Sequence, residues 1–141
     1  MQRGRRIAFD YGDVRIGVAL SDPDSILASP LTTLTSSDKR LASSLTAIFE
    51  EFEPIAIFVG KPSNMDGSSG PAIEKVKVFC ALLATLTKAP IELIDERLST
   101  VSAARDMRTS GINAKEAKSR IDQAAAVAIL EFAISIEKNR Q

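Results

Sequence analysis

The apolar pattern of the chain changes character near residue 38, and this change limits the folds open to it. Ahead of it lie three β-prone segments in succession. Arg5 to Tyr11 is the first, Gly12-Asp13 is a turn signal, and Val14 to Leu20 alternates as a second strand closing a hairpin. Ile26 to Leu34 is a third, weaker segment, which Pro30 pushes towards a sheet edge because proline has no amide to give a ladder. Beyond Asp38, read as a helix N-cap, Leu41, Leu45, Ile48 and Phe52 recur at the three-to-four spacing of a helix face. Pro54 ends that helix, and Ile55 to Val59 is a short unbroken apolar run, as in a buried parallel strand.

The alternation continues. Pro71 suits the first turn of a second helix whose buried stripe is Ile73, Val76, Phe79, Cys80, Leu83 and Leu86. Ile91 to Ile94 is another short strand, and Ser99 caps a third helix to about Thr109 that Gly111 ends. Asn113, with Glu116 three residues later, opens a last helix running to about Glu137. The expected fold is α/β: a mixed five-stranded sheet, an antiparallel meander followed by parallel strands, flanked by helices. The 141 residues suit one domain over residues 1–137, with a polar tail at 138–141 that frays.

Composition removes whole classes of chemistry. The chain has no histidine and one cysteine, which excludes Ser-His-Asp and Cys-His triads, histidine bases and Cys/His zinc sites. Cys80 sits in the apolar stripe and is read as core packing. Aromatic residues are only 5% of the chain, so the core must be mostly aliphatic. The net charge is +0, so any nucleic-acid contact must rest on local basic patches. Asp10 interrupts the first apolar run too soon for a signal peptide, and the longest run, Ala124 to Leu130, is far short of the ~20 residues of a membrane span. The expectation is a cytoplasmic protein without a membrane partner.

Four features carry possible chemistry. Gly12-Asp13-Val14-Arg15-Ile16-Gly17 is neither a dinucleotide fingerprint nor a P-loop, since it joins strand to strand and lacks the Lys-Ser/Thr pair. It leaves Asp10, a carboxylate near the end of an apolar strand, where a charge is costly unless solvated, paired or metal-bound. Asp10 either caps the turn or does chemistry. Asp95-Glu96-Arg97 follows the strand at 91–94, at the carboxyl end where α/β folds bind ligands, or is a surface charge cluster. Asp122 shares its helix face with Ala125 and Ala126, so the helix could approach the sheet closely with that carboxylate inward, or Asp122 simply faces solvent. The loop from Lys61 to Gly70 is long for a strand-to-helix connection, and its small residues either admit a phosphate backbone or form a plain surface loop.

Taken jointly, the three carboxylates say more. Should the fold gather them, they repel one another unless a cation intervenes, and a hard divalent ion such as Mg²⁺ or Mn²⁺ suits an all-oxygen set. Such sites, with one ion or two, activate water for phosphodiester cleavage without any histidine.

These same blocks resemble the YqgF/RuvX family. Ala8-Phe9-Asp10-Tyr11-Gly12 with Arg15-Ile16-Gly17-Val18-Ala19-Leu20-Ser21-Asp22 resembles its opening. Val59-Gly60-Lys61-Pro62 with Met65-Asp66-Gly67 and Gly70-Pro71 follows, then Asp95-Glu96-Arg97-Leu98-Ser99-Thr100, then Ile121-Asp122-Gln123-Ala124-Ala125, in the family's order. The resemblance implies an RNase H-like fold related to RuvC-type resolvases, and a metal-dependent nuclease in 5′-end maturation of pre-16S ribosomal RNA. Asp10, Glu96 and Asp122 match the family's acidic positions. By this resemblance Asp10 bridges the metals, Glu96 and Asp122 complete their shells, and a metal-bound water attacks phosphorus. Arg15, Lys61 and Arg97 are the expected phosphate contacts, with Arg3-Arg5-Arg6 and Lys115-Lys118-Arg120 extending a nucleic-acid track. The chain departs from the family at Asp13-Val14, where Thr-Lys is frequent, and at Lys61, where Leu is usual. The partners implied are structured RNA, branched DNA and a ribosomal particle. Two other readings stay open: a phosphate-binding turn like that of actin-like ATPases, which need two lobes, and a non-catalytic nucleic-acid-binding module in transcription or ribosome assembly.

Overall fold

The computed structural model describes residues 2–62, 70–96 and 114–140, the side chains of 114–119 apart. Five strands, β1 (Arg6–Tyr11), β2 (Arg15–Ser21), β3 (Ala28–Thr35), β4 (Ala56–Lys61) and β5 (Ile91–Asp95), form one sheet in the order β3-β2-β1-β4-β5. β2 is antiparallel to both β1 and β3, whereas β4 runs parallel to β1 and β5 parallel to β4. The mixed sheet is therefore the one expected. Among the described residues, α1 (Leu41–Phe52), α2 (Pro71–Leu86) and α3 (Ala114–Asn139) cover it.

Strand alternation sorts the core into two layers. Ile7 and Phe9 of β1, Ile16 and Val18 of β2, and Ile57 and Val59 of β4 pack against Leu45 and Phe49 of α1 and Val76, Phe79 and Leu83 of α2. Phe9 anchors this layer, with the rings of Phe49 and Phe79 edge-on at 6.3 and 5.4 Å. The opposite face is rich in alanine, with a few larger residues among them. Ala8, Ala19 and Phe58 meet Ala125, Ala126, Ile129, Leu130 and Ala133 of α3. Short side chains on both partners let α3 lie close to the sheet.

Two element starts move from their expected places, each for a local polar reason. β3 starts at Ala28 because the Asp22 carboxylate accepts the amides of Ile26 and Leu27, both at 2.7 Å. Ser25 takes a left-handed φ of 55°, and Ile26 and Leu27 are left exposed. α1 starts at Leu41 with Arg40 at its N-cap, because Asp38 accepts the Arg40 amide at 2.9 Å with its side chain and the Leu41 amide with its carbonyl. Its polar atoms are spent on a turn ahead of the helix. α3 continues to Asn139, into the segment expected as a polar tail, where Lys138 donates to the Ser25 carbonyl at 3.3 Å and Arg140 pairs with Glu92 at 3.4 Å. β4 also runs on through Gly60 and Lys61. Pro30 does lie on the edge strand, beside a register shift in the β2–β3 ladder. The helix expected over 99–109 and the cap at Asn113 lie outside the described residues.

Candidate active site

Asp10 is 2% exposed. It lies on β1 two residues beyond Ala8, so alternation directs it to the α3 face. Its partner across the β1–β2 ladder is Gly17. On the other side, continuing the register Ala8↔Phe58 and Phe9↔Val59 brings Asp10 alongside Gly60 of β4. The buried acid thus stands between two residues without side chains.

Each vacated volume is filled by the element that carries another acid. A Cβ at Gly17 would fall on the carbonyl of Asp122 and 3.0 Å from the Gln123 amide nitrogen, so the backbone of α3 rests on β2 at that point. A Cβ at Gly60 would meet the Glu96 Oε1 at 2.9 Å and the Ile129 Cδ1 at 2.6 Å. The elements that carry Asp10, Glu96 and Asp122, namely β1, the end of β5 and α3, thus lie next to one another here. Neither Gly17 nor Gly60 was assigned a role by sequence reasoning, although both stand inside the motifs. Their signal was an isolated glycine in a strand, which marks a close approach.

The electrostatics add a feature the sequence did not suggest. Arg15 Nε donates to Asp122 Oδ2 at 2.8 Å, with the two side chains 30% and 20% exposed. The guanidinium expected to meet a phosphate pairs here with this carboxylate. Among the described residues no three acidic side chains stand close enough together to hold a metal ion. Asp10, Glu96 and Asp122 each have other interactions, so none is without a partner. In donor chemistry the set still fits a hard divalent cation: all carboxylate oxygen, one member nearly solvent-free, and one already paired with a positive charge.

Lys61 is exposed at the end of β4, in register with Asp95 of β5. Arg97 and residues 63–69 of the loop lie outside the described residues. The cluster Arg3-Arg5-Arg6 is no continuous basic track. Arg3 pairs with Asp24 at 2.9 Å, Arg5 donates to the Ser21 carbonyl and lies over the Phe52 ring, and Arg6 is buried against Glu137. Arg120 is exposed, and the side chains of Lys115 and Lys118 lie outside the described residues. Asp13, at the tip of the first turn, pairs with Lys75 of α2 at 2.7 Å, and that carboxylate holds the Lys75 ammonium above its ordinary value.

A mixed sheet of this order, with a buried acid at the carboxyl end of β1, defines a protein of the RNase H-like resolvase fold. RuvC of Thermus thermophilus in complex with a Holliday junction substrate superposes with a TM-score of 0.62 at 13% identity, covering 96% of each chain. The fowlpox virus resolvase in complex with Holliday junction DNA gives 0.54 at 12% identity, covering 94% of this chain and 98% of the other. The model of the RuvX family, described as Holliday junction resolvase, matches residues 4–135. A protein of Streptomyces avermitilis named "Putative pre-16S rRNA nuclease" is 46% identical over 140 residues, covering 98% of this chain and 90% of its own length. One of the same name from Rhodococcus erythropolis is 45% identical over 135 residues, covering 92% of this chain and 76% of its own. The chain belongs to the RuvX family and is a nuclease. Among the described residues, no helix is long and apolar enough to cross a membrane.

Proposed function

We propose that this nuclease is divalent-metal-dependent and that it processes the 5′ end of pre-16S ribosomal RNA in the cytoplasm, on or near a ribosomal particle. The observation that carries the reading is Asp10, 2% exposed between Gly17 and Gly60, the two positions against which Asp122 and Glu96 are packed. A desolvated acid is kept where it is hydrogen-bonded, paired or bound to a metal, and its place beside Glu96 and Asp122 supports a metal as one of its partners. Asp10, Glu96 and Asp122 would hold one or two Mg²⁺ or Mn²⁺ ions. Such an ion supplies an ionised water at neutral pH and stabilises the departing oxygen. The chain's own part is to aim the carboxylates and hold the strand. Arg15 sits beside Asp122, and with Lys61 and Arg97 it would hold the phosphates. The RNA assignment draws on the names of the relatives.

A second reading, cleavage of branched DNA, is favoured by the family description and by the junction-bound proteins that share the fold. One experiment separates the readings. Purified protein is offered a 5′-extended 16S precursor and a four-way DNA junction with Mg²⁺ or Mn²⁺, with Asp10→Asn alongside. The expected result is RNA cleavage that falls at least about a hundredfold in the near-isosteric variant, with melting little changed. Cleavage of the junction alone moves the function to recombination. Cleavage of neither, or equal cleavage by Asp10→Asn, overturns the carboxylate–metal reading and favours a non-catalytic binding module.

A further inference from the structure

A cavity of about 240 Å³ opens beside Glu96, on the α2 side of the sheet. Tyr11, Asp13, Pro62, Lys75, Val76 and Glu96 are among its walls. It lies beyond the carboxyl ends of β1 and β4, the place where open α/β sheets take ligands. Glu96 borders both this cavity and the Gly60 face, so whatever fills the cavity is next to the candidate active site. We propose that this cavity is the subsite for one nucleotide unit flanking the scissile phosphate, that Lys75 binds its phosphate, and that Asp13 holds Lys75 in place until the phosphate displaces it. The proposal rests on the nuclease reading and deepens it.

Size comes first. Ligand pockets commonly measure about 300–1,000 Å³. This one is smaller, with room for a sugar-phosphate unit and not for a whole cofactor. Chemistry comes second. Lys75 is the cation among the described lining residues, facing the carboxylates of Asp13 and Glu96. A phosphate entering beside Glu96 meets repulsion from both acids and, among the described lining residues, finds its counter-charge in Lys75. The third point is that the Lys75–Asp13 pair is built to exchange. Its side chains are 55% and 72% exposed, and exposed pairs are weak. A phosphate carries the same acceptor oxygens and reaches the same ammonium. One wall is held by ring packing: Tyr11, which lines the cavity, has its ring 4.8 Å from that of Phe79, tilted 30°.

The test is binding without cleavage, by fluorescence anisotropy in EDTA over a series of salt concentrations. The probes are a 5′-labelled RNA spanning the 16S 5′ end and a labelled four-way junction. Lys75→Ala is expected to weaken binding about tenfold and to reduce the slope of log K against log salt by about 1. Asp13→Ala is expected to tighten binding severalfold, and this gain should vanish in the Lys75→Ala background, because Asp13 acts through Lys75. A strut that only fastens the turn to α2 would give the two variants the same sign. An unchanged salt slope in Lys75→Ala, or a gain from Asp13→Ala that survives without Lys75, overturns the proposal while wild-type cleavage leaves the nuclease reading intact. If wild type binds neither probe in EDTA or with Ca²⁺ present, the subsite proposal falls, while cleavage with Mg²⁺ or Mn²⁺ decides the metal-dependent reading separately.

Discussion

Replacing Gly17 by alanine tests whether α3 is seated on β2 as closely as the site requires. The added Cβ would fall on the Asp122 carbonyl and 3.0 Å from the Gln123 amide nitrogen, where ordinary contacts begin near 3.4 Å. Both neighbours are backbone, so no side chain can swing aside and the helix must withdraw. Overpacking of this kind costs about 1–3 kcal/mol. For a chain of this length each kcal/mol is worth roughly 3–4 °C, so the melting temperature should fall by about 3–12 °C. Withdrawal also carries Asp122 away from the strand bearing Asp10, and a ~1 Å misplacement can cost on the order of a hundredfold in rate. Gly60→Ala is the matched control. Its Cβ meets the Ile129 Cδ1 at 2.6 Å and the Glu96 Oε1 at 2.9 Å, both side-chain ends that can rotate. It should melt closer to wild type while still losing cleavage, because Glu96 is pushed aside. Calorimetry and metal-dependent cleavage on the three proteins decide the matter. A Gly17→Ala protein that melts and cleaves like wild type, or a Gly60→Ala protein less stable than Gly17→Ala, would refute the reasoning.

Two further outcomes follow from the same structure. Arg6→Ala leaves Glu137 and the carbonyls of Gln2 and Gly4 without their donor, and should cost about 3 kcal/mol, read as a melting shift of roughly 10 °C; Arg6→Lys should restore only part of it, since an ammonium cannot reproduce the guanidinium fork. The Asp22 carboxyl is held below its ordinary value by the amides of Leu27, Ile26 and Asp24, so its contribution to the 22–27 loop is complete above the ordinary carboxylate range and fades as pH falls through the lowered folded value; the Ile26 and Leu27 amide resonances, followed by NMR from neutral to acid pH, should move with that titration and stay still in Asp22→Asn.

The strands were legible because their cue is periodic and local. Ile7, Phe9, Ile16 and Val18 alternate in sequence and share one buried face in the fold. Asp10 stood out as a charge inside such a run, which is why it could be singled out. What was not legible depends on partners distant along the chain. Arg15 meets Asp122 across 107 residues and Arg6 meets Glu137 across 131, and nothing near either arginine announces it. Solvated surface, phosphate contact and internal ion pair look alike in sequence. Lys75 was missed for the same reason: its place opposite Asp13 arises only when α2 folds back over the first turn. The starts of β3 and α1 moved because Asp22 and Asp38 accept nearby amides, chemistry that competes with strand and helix without changing hydrophobic spacing.

The ion pairs also bear on how α3 is seated on the sheet. Alanines at 125, 126, 128 and 133 permit close approach, and the larger Ile129, Leu130 and Ile134 among them key the helix to the sheet. Two charged contacts add to that register. Arg15 engages Asp122 near one end of the helix, and Arg6 engages Glu137 near the other, with Arg6 2% exposed and bonded to Ser25 Oγ at 2.8 Å as well. Buried charges are poor sources of stability and better justified by the single arrangement they select. Here that arrangement sets where Asp122 lies relative to Asp10. It follows that Arg6, at the far end of α3, should matter to catalysis as well as to melting. Arg6→Ala assayed well below its melting temperature should cleave more slowly than wild type, and a folded variant with an unimpaired rate would show that the apolar seam alone holds the helix in register.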